Sequence, residues 1–325
     1  PGDPAVIRLI PLMLLTLMLA FPAGAFDLQG HRGARGLLPE NTLPAFARAL
    51  DIGVTTLELD VGVTRDGVPV IAHDPRLNPA IARGADGQWI TAPGPAIHDL
   101  TADQVAAYDV GRVDPGHRYA KRLADQTPVD GTPIPRLADL FALVRERGDT
   151  AVRFNIETKL SPDHPDETLP PDAFADTLVA AVRRAGLAGR VTIQSFDWRT
   201  LARVNAVAPE IPTVCLTAQQ RWLDNVRVGQ PGPSPWTAGL DVDDHGGSVP
   251  ALVKAAGCAV WSPFHNDLDA DALARAHGLG LTVVVWTVND PARMDALITL
   301  GVDGIISDRP DRLRRVAADR GLIRP

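Results

Sequence analysis

Cysteine is nearly absent from this chain: 325 residues contain two, Cys215 and Cys258. So few exclude a small disulfide-built scaffold, and neither has histidine or acidic neighbours at a zinc-ligand spacing. Both lie in apolar strand-like runs, and a core of this size needs no covalent staple. Two buried free thiols are therefore the preferred reading, with a disulfide as the alternative that an oxidising compartment permits. Dense Lys/Arg runs are also missing and the formal net charge is −7. That balance excludes a nucleic-acid footprint and argues against adhesion to anionic membranes. Internal repeats and low-complexity tracts are lacking as well. With 45% hydrophobic and 22% charged residues, the composition is that of a globular protein with a full-sized core.

One apolar run, Leu9–Leu19, follows the single positive charge Arg8 and precedes Ala23-Gly24-Ala25. A basic start, a short apolar stretch and small residues at a cleavage position read as an export signal over residues 1–25. The run is short for a spanning helix, which needs about 20 residues, and no cysteine follows it to carry a lipid. The expectation is an exported protein, periplasmic or extracellular, with no stable membrane anchor after cleavage. Oligomeric state is not legible.

Residues 26–325 alternate short apolar runs with amphipathic stretches. Strands are expected at Phe26–Gly30, Thr55–Val61, Val152–Glu157, Val191–Ser195, Thr213–Leu216, Cys258–Ser262, Leu281–Trp286 and Gly304–Ile306. Helices are expected between them, among them Thr42–Asp51, Asp172–Ala185, Trp198–Val207, Val249–Ala256, Ala270–His277 and Pro291–Leu300. Parallel strands need crossover helices, so this alternation predicts an α/β fold, a (β/α)₈ TIM barrel, with an open doubly wound sheet as the structural alternative. Arg65-Asp66-Gly67 reads as a hairpin turn after the second strand. The Pro- and Gly-rich segment from Asn78 to Pro135 reads as a small insertion.

The residues that carry chemistry fall at the C-terminal strand ends, where barrels place their active sites. His31 follows the first strand. Glu58 and Asp60 alternate along the second and so share a face. Glu157 ends the third, and Trp286 and Asn289 end the seventh. Carboxylates crowded on one face repel unless a cation lies between them, and an all-oxygen set suits Mg²⁺ or Ca²⁺. Histidine exchanges a proton near neutral pH, so His31 and His73 are candidates for acid and base.

In order, His31-Arg32-Gly33, Glu40-Asn41-Thr42, Glu58-Leu59-Asp60, His73-Asp74, Glu157-Thr158-Lys159, Trp286-Thr287-Val288-Asn289 and Asp303-Gly304-Ile305-Ile306 resemble the glycerophosphodiester phosphodiesterases. The resemblance implies a TIM barrel with a small insertion after the second strand region. It also implies hydrolysis of phosphodiesters such as glycerophosphocholine to glycerol 3-phosphate and an alcohol, through a cyclic phosphate. By resemblance Glu58, Asp60 and Glu157 hold one divalent cation, Mg²⁺ or Ca²⁺, while His31 is the acid and His73 the base. Arg32 and Lys159 add positive charge for the phosphate, and Trp286 forms a wall of the pocket. The middle residue of Glu157-Thr158-Lys159 departs from the Glu-Ile-Lys of many relatives, at a position that points away from the site.

Blander assignments stand beside these. Asn41 or Thr42 caps the following helix, and Glu40 is a weaker candidate for contact with the site. Asp308 is expected to be a loop residue capping the last helix. His98, His117, His164, His245 and His277 are read as surface or capping residues, and His265 as a residue that can line the pocket. A lysolipid substrate would call for an aromatic-rich rim, which an aromatic content of 5% argues against. A catalytically dead, ligand-binding barrel would lack a ligand or a histidine, and none is missing.

Overall fold

The alternation along the chain closes into a barrel in the computed structural model, which describes residues 26–323. The segment read as an export signal lies outside the described residues. In chain order come β1 (Asp27–Gly30), α1 (Leu43–Ile52), β2 (Thr56–Val63), β3 (Pro69–Ile71), α2 (Ala102–Ala106) and α3 (Leu137–Glu146). Then follow β4 (Arg153–Thr158), α4 (Pro171–Arg184), β5 (Val191–Ser195), α5 (Trp198–Val207) and β6 (Thr213–Thr217). A small hairpin, β7 (Gln219–Gln220) with β8 (Leu223–Asp224), precedes α6 (Val249–Ala255), β9 (Val260–Pro263) and α7 (Ala270–Gly278). The chain finishes with β10 (Thr282–Val285), α8 (Pro291–Leu300), β11 (Gly304–Ser307) and α9 (Pro310–Asp319).

Eight strands pair in parallel around a ring, β1-β2-β4-β5-β6-β9-β10-β11, and β11 returns to β1. Because β1 bonds to both β2 and β11, the open sheet is excluded and the fold is a (β/α)₈ TIM barrel. All eight expected strands are present. Their residues are almost continuously buried, as a parallel sheet covered on both faces requires. One helix absent from the sequence reading, α3, buries Leu137, Leu140, Phe141 and Val144 at helical spacing against this core.

β3 runs antiparallel to the end of β2, with Val61 opposite Ile71. Gly67 closes the turn at φ +76°, the left-handed conformation glycine adopts without a Cβ clash. The expected hairpin therefore returns the chain to the barrel mouth and delivers His73 there. The insertion that follows has its own small core, in which Leu77, Ala82, Ile97, Ala102, Val105, Val110 and Ile134 pack on Val70 of β3. Among the described residues no helix is long and apolar enough to cross a membrane.

The reading of two free thiols is corrected. Cys215 on β6 and Cys258 just ahead of β9 form a disulfide, with Cα atoms 5.9 Å apart. The physical reason is adjacency, since β6 and β9 are neighbouring barrel strands and both cysteines are buried. The bond closes a loop over a separation of 43 residues, for which loop-closure entropy gives about 4 kcal/mol at most and typical cases give 2–4. Replacing both cysteines with alanine is expected to lower the unfolding free energy by roughly 2–4 kcal/mol, read as a shifted urea midpoint, and reductant should shift the wild type in the same direction.

Candidate active site

At the C-terminal end of β1 the chain turns back on itself within four residues. A Cβ on Gly30 would lie 2.3 Å from the Gly33 carbonyl oxygen, so only glycine fits this approach. Gly33 takes φ +84° and Arg32 φ +49°, the latter a strained conformation for a side-chain-bearing residue, costing about 1–3 kcal/mol. It is held because the Arg32 backbone N–H donates to Glu58 Oε2 at 2.8 Å. The strained turn thus fixes a carboxylate on the next strand.

Alternation along β2 puts Glu58 and Asp60 on one side, and the β2–β4 register sets Asp60 beside Glu157. Oxygens of all three lie within 4.8 Å of one another, with the residues 1%, 1% and 7% exposed. Glu58 Oε1 accepts from Gln194 Nε2 at 2.8 Å. Gln194 belongs to a polar layer across the barrel, where Asn155 Nδ2 donates to both Gln29 Oε1 and Gln194 Oε1. Asp60 Oδ2 accepts from Asn41 Nδ2 at 2.9 Å and pairs with Arg32 Nε at 3.0 Å. Its other oxygen, Oδ1, is buried without a hydrogen-bond partner. Glu157 Oε1 accepts from Lys159 Nζ at 2.7 Å.

Burial, then the charges of Asp60 and Glu157, pushes the Glu58 carboxyl well above the usual range. Burial acts on Asp60 in the same sense, but Arg32, with His73 and Lys159, outweighs it and holds this carboxylate ionised far into acid. Three crowded, buried oxygens of one hard-ligand type, one of them unsatisfied, fit a divalent cation. The cluster Glu58, Asp60 and Glu157 could hold such an ion.

Both histidines reach the same cavity, of about 590 Å³, and both are oriented alike. His31 Nδ1 lies 2.5 Å from Asp308 Oδ1, and its Nε2 is on the side of Glu58, 3.9 Å from Oε2. His73 Nδ1 lies 2.8 Å from Asp74 Oδ1. Each aspartate is itself held by an asparagine, Asn289 Nδ2 donating to Asp308 Oδ2 at 2.7 Å and Asn78 Nδ2 to Asp74 Oδ2 at 2.8 Å. A carboxylate at Nδ1 fixes the tautomer and leaves Nε2 to exchange a proton. Burial lowers the His31 pKa against the opposing pull of Asp308, and the charges of Arg32 and Arg35 add to the lowering.

Arg32 and Lys159 both line the cavity, each already engaged, Arg32 Nη1 with Glu40 Oε1 at 2.7 Å and Lys159 with Glu157. Glu40 does join the network. Burial would raise its pKa, but Arg32 and Arg35 outweigh that and hold the carboxyl at about 2. Thr42 caps α1 by accepting from the Ala45 N–H, while Asn41 serves Asp60. Trp286 forms part of the cavity wall, its Nε1 bonded to the Ser262 carbonyl at 2.9 Å.

Three readings change. Asp308 does not cap α9, whose N-cap is Arg309 without a side-chain bond; it orients His31. His265 is outside the cavity lining, stacked on Phe264 and held by Arg293. The low aromatic content nonetheless builds a wall, because Phe196, Trp222, Trp236 and Trp286 converge on the cavity from separate segments. Trp222, 60% exposed on the β7–β8 hairpin, meets Trp286 edge-on at 6.0 Å. The remaining histidines, His98, His117, His164, His245 and His277, lie outside the lining.

A TIM barrel with a buried acidic triad that could hold a metal and two carboxylate-held imidazoles at one cavity is the layout of a barrel hydrolase. The comparisons narrow it. The model of the glycerophosphoryl diester phosphodiesterase family matches residues 31–312, and the chain belongs to that family; the activity is that of a phosphoric diester hydrolase. A glycerophosphodiester phosphodiesterase of Caldanaerobacter subterraneus is 27% identical over 87% of this chain and 94% of its own length. The crystal structure of a Silicibacter pomeroyi protein ascribed the same activity superposes with a TM-score of 0.81, at 35% identity over 92% of this chain and 95% of that one. The fold is shared, at 20% identity and a TM-score of 0.64 over 90% of this chain and 96% of the other, with an Oleispira antarctica phosphodiesterase solved in complex with the product sn-glycerol-3-phosphate.

Removing the carboxylate behind His31 tests this arrangement directly. Asp308→Ala is expected to lower kcat about 10–100-fold while leaving KM nearly unchanged, whereas His265→Ala should retain wild-type turnover. Steady-state kinetics on a glycerophosphodiester measure both.

Proposed function

We propose that this chain is an exported, metal-dependent enzyme that cleaves glycerophosphodiesters to glycerol 3-phosphate and an alcohol, using His31 and His73 as the proton-transferring pair. The observation that carries the reading is the matched pair of imidazoles, each held at Nδ1 by an aspartate and each lining the cavity that also holds Glu58, Glu157 and Lys159. Glu58, Asp60 and Glu157 would hold one divalent cation, Mg²⁺ or Ca²⁺, which when bound supplies Lewis-acid stabilisation of charge on the phosphoryl oxygens. Arg32 and Lys159 add fixed positive charge along the same floor, at no cost of reorganisation during the reaction.

One imidazole takes the proton from the glycerol hydroxyl next to the phosphate as that oxygen attacks phosphorus. The other gives its proton to the departing alkoxide, so that a five-membered cyclic phosphate and a neutral alcohol form. Water then opens the ring with the two roles exchanged, returning both histidines to their starting states and releasing glycerol 3-phosphate. Such a route requires a hydroxyl on the substrate and excludes simple dialkyl phosphates. Export rests on residues 1–25, and a buried disulfide is in keeping with an oxidising compartment.

A second reading, cleavage of lysolipids at the same bond, draws support from the aromatic wall and exposed Trp222. Comparing lysophosphatidylcholine with glycerophosphocholine separates the two by their kcat/KM ratio.

Chelator is expected to abolish release of glycerol 3-phosphate from glycerophosphocholine, and added Mg²⁺ or Ca²⁺ to restore it; activity that persists in excess chelator would remove the metal from the reaction. His31→Ala and His73→Ala should each lower kcat by about 10²–10⁴-fold, and near-normal turnover in either variant refutes its role.

A further inference from the structure

The insertion reaches across the barrel mouth and holds Arg35 at both ends. At the side-chain end, Arg35 Nε donates to Glu40 Oε2 at 2.8 Å and its Nη2 to the Tyr119 hydroxyl. Tyr119 in turn donates to the same Glu40 oxygen at 2.6 Å, closing a cycle of three residues, and the guanidinium stands 5.2 Å over its ring. At the backbone end, Gln126 Nε2 donates to the Arg35 carbonyl at 2.8 Å and to that of Leu38 at 3.1 Å. The one remaining arm of the fork, Nη1, lies 3.2 and 3.3 Å from the two Asp308 oxygens, and Asp308 holds His31 at 2.5 Å. The five N–H donors of a planar guanidinium cannot be re-aimed singly, so whatever fixes Nε and Nη2 also fixes Nη1.

We infer that Tyr119 is a positioning residue for the hydrolysis: its hydroxyl locks the Arg35 fork, which seats Asp308 against His31. The insertion thereby acts on His31 through Arg35 and Asp308, while Tyr119 and Arg35 also form part of the cavity wall. No residue of the insertion lies within the family motifs along the barrel strands, and the half-buried Tyr119 comes from a single turn of 3₁₀ helix, Arg118–Arg122. A hydroxyl used only for packing stability would leave turnover per folded molecule unchanged. A hydroxyl that aims the fork would lower the chemical step and leave substrate capture alone, because a misaligned imidazole costs transition-state stabilisation rather than ground-state binding.

This inference rests on the phosphodiesterase reading, and the experiment separates the two. Wild type, Tyr119→Phe, Arg35→Lys and the double variant are assayed with glycerophosphocholine and saturating Mg²⁺ or Ca²⁺, with melting curves recorded alongside. No turnover by the wild type on glycerophosphodiesters would defeat the parent reading. With an active wild type, Tyr119→Phe, which keeps the ring, is expected to lower kcat about tenfold, to change KM by less than about twofold, and to melt close to the wild type. The double variant should be no slower than Arg35→Lys alone, since both changes cut one chain of contacts. Wild-type kcat in Tyr119→Phe, or losses that multiply in the double variant, overturns the inference. Gln126→Ala, which frees the backbone end, offers an independent check and should also lower kcat without raising KM; unchanged kcat there as well as in Tyr119→Phe leaves no role for the insertion.

Discussion

Three carboxylates packed within 4.8 Å, almost out of reach of water, set the terms for everything around them. At an effective dielectric of about 20, two unit charges at that distance repel by roughly 3–4 kcal/mol, and desolvation adds to the cost. The barrel answers with Arg32 and Lys159 at the rim of the cluster, with an asparagine and a glutamine donating to Asp60 and Glu58, and with a backbone N–H obtained by straining Arg32. Among the described residues of the cluster, Asp60 Oδ1 and Arg32 Nε are left without a hydrogen bond, and a cation could meet the first. The strained turn after β1, the polar layer of Gln29, Asn155 and Gln194, and the arginine–glutamate network beyond are then consequences of one electrostatic demand.

The barrel was legible because its strands are short apolar runs alternating with helical stretches, several of them opened by a side-chain cap, and neither signal needs long-range information. The metal-ligand candidates and both histidines were legible for a related reason: a strand end fixes where its last residues point. Groups that matter through a partner far along the chain were harder to read. Asp308 looks like a helix cap because an aspartate just ahead of a helical run usually is one, and only the return of β11 to β1 turns it toward His31. Tyr119 and Gln126 lie in a stretch whose Pro and Gly content conceals any period. The aromatic wall draws on residues near positions 196, 222, 236 and 286, so no local window holds more than one of them. The disulfide failed for a subtler reason. Strand neighbours follow from the barrel, but whether two side chains on them meet depends on register and on the loop leading into β9.

The two imidazoles share a layout of His, Asp and Asn, yet they are anchored differently. Asp74 and Asn78 follow His73 within one loop, so that arrangement is local and assembles with the hairpin that delivers it. His31 depends on residues from the last strand and the loop before α8, held by the insertion through Arg35. One half of the histidine pair is therefore a property of a short segment, and the other is a property of the finished tertiary structure.

That asymmetry gives the barrel seam a meaning beyond architecture. His31 and Asp308 are 277 residues apart, each the first residue beyond one of the two strands whose pairing closes the ring. Parting this seam would take His31 from its orienting partner, while Glu58, Asp60 and Glu157 sit on β2 and β4, whose pairing does not involve it. His31 and its orienting aspartate meet only where the first and last strands do.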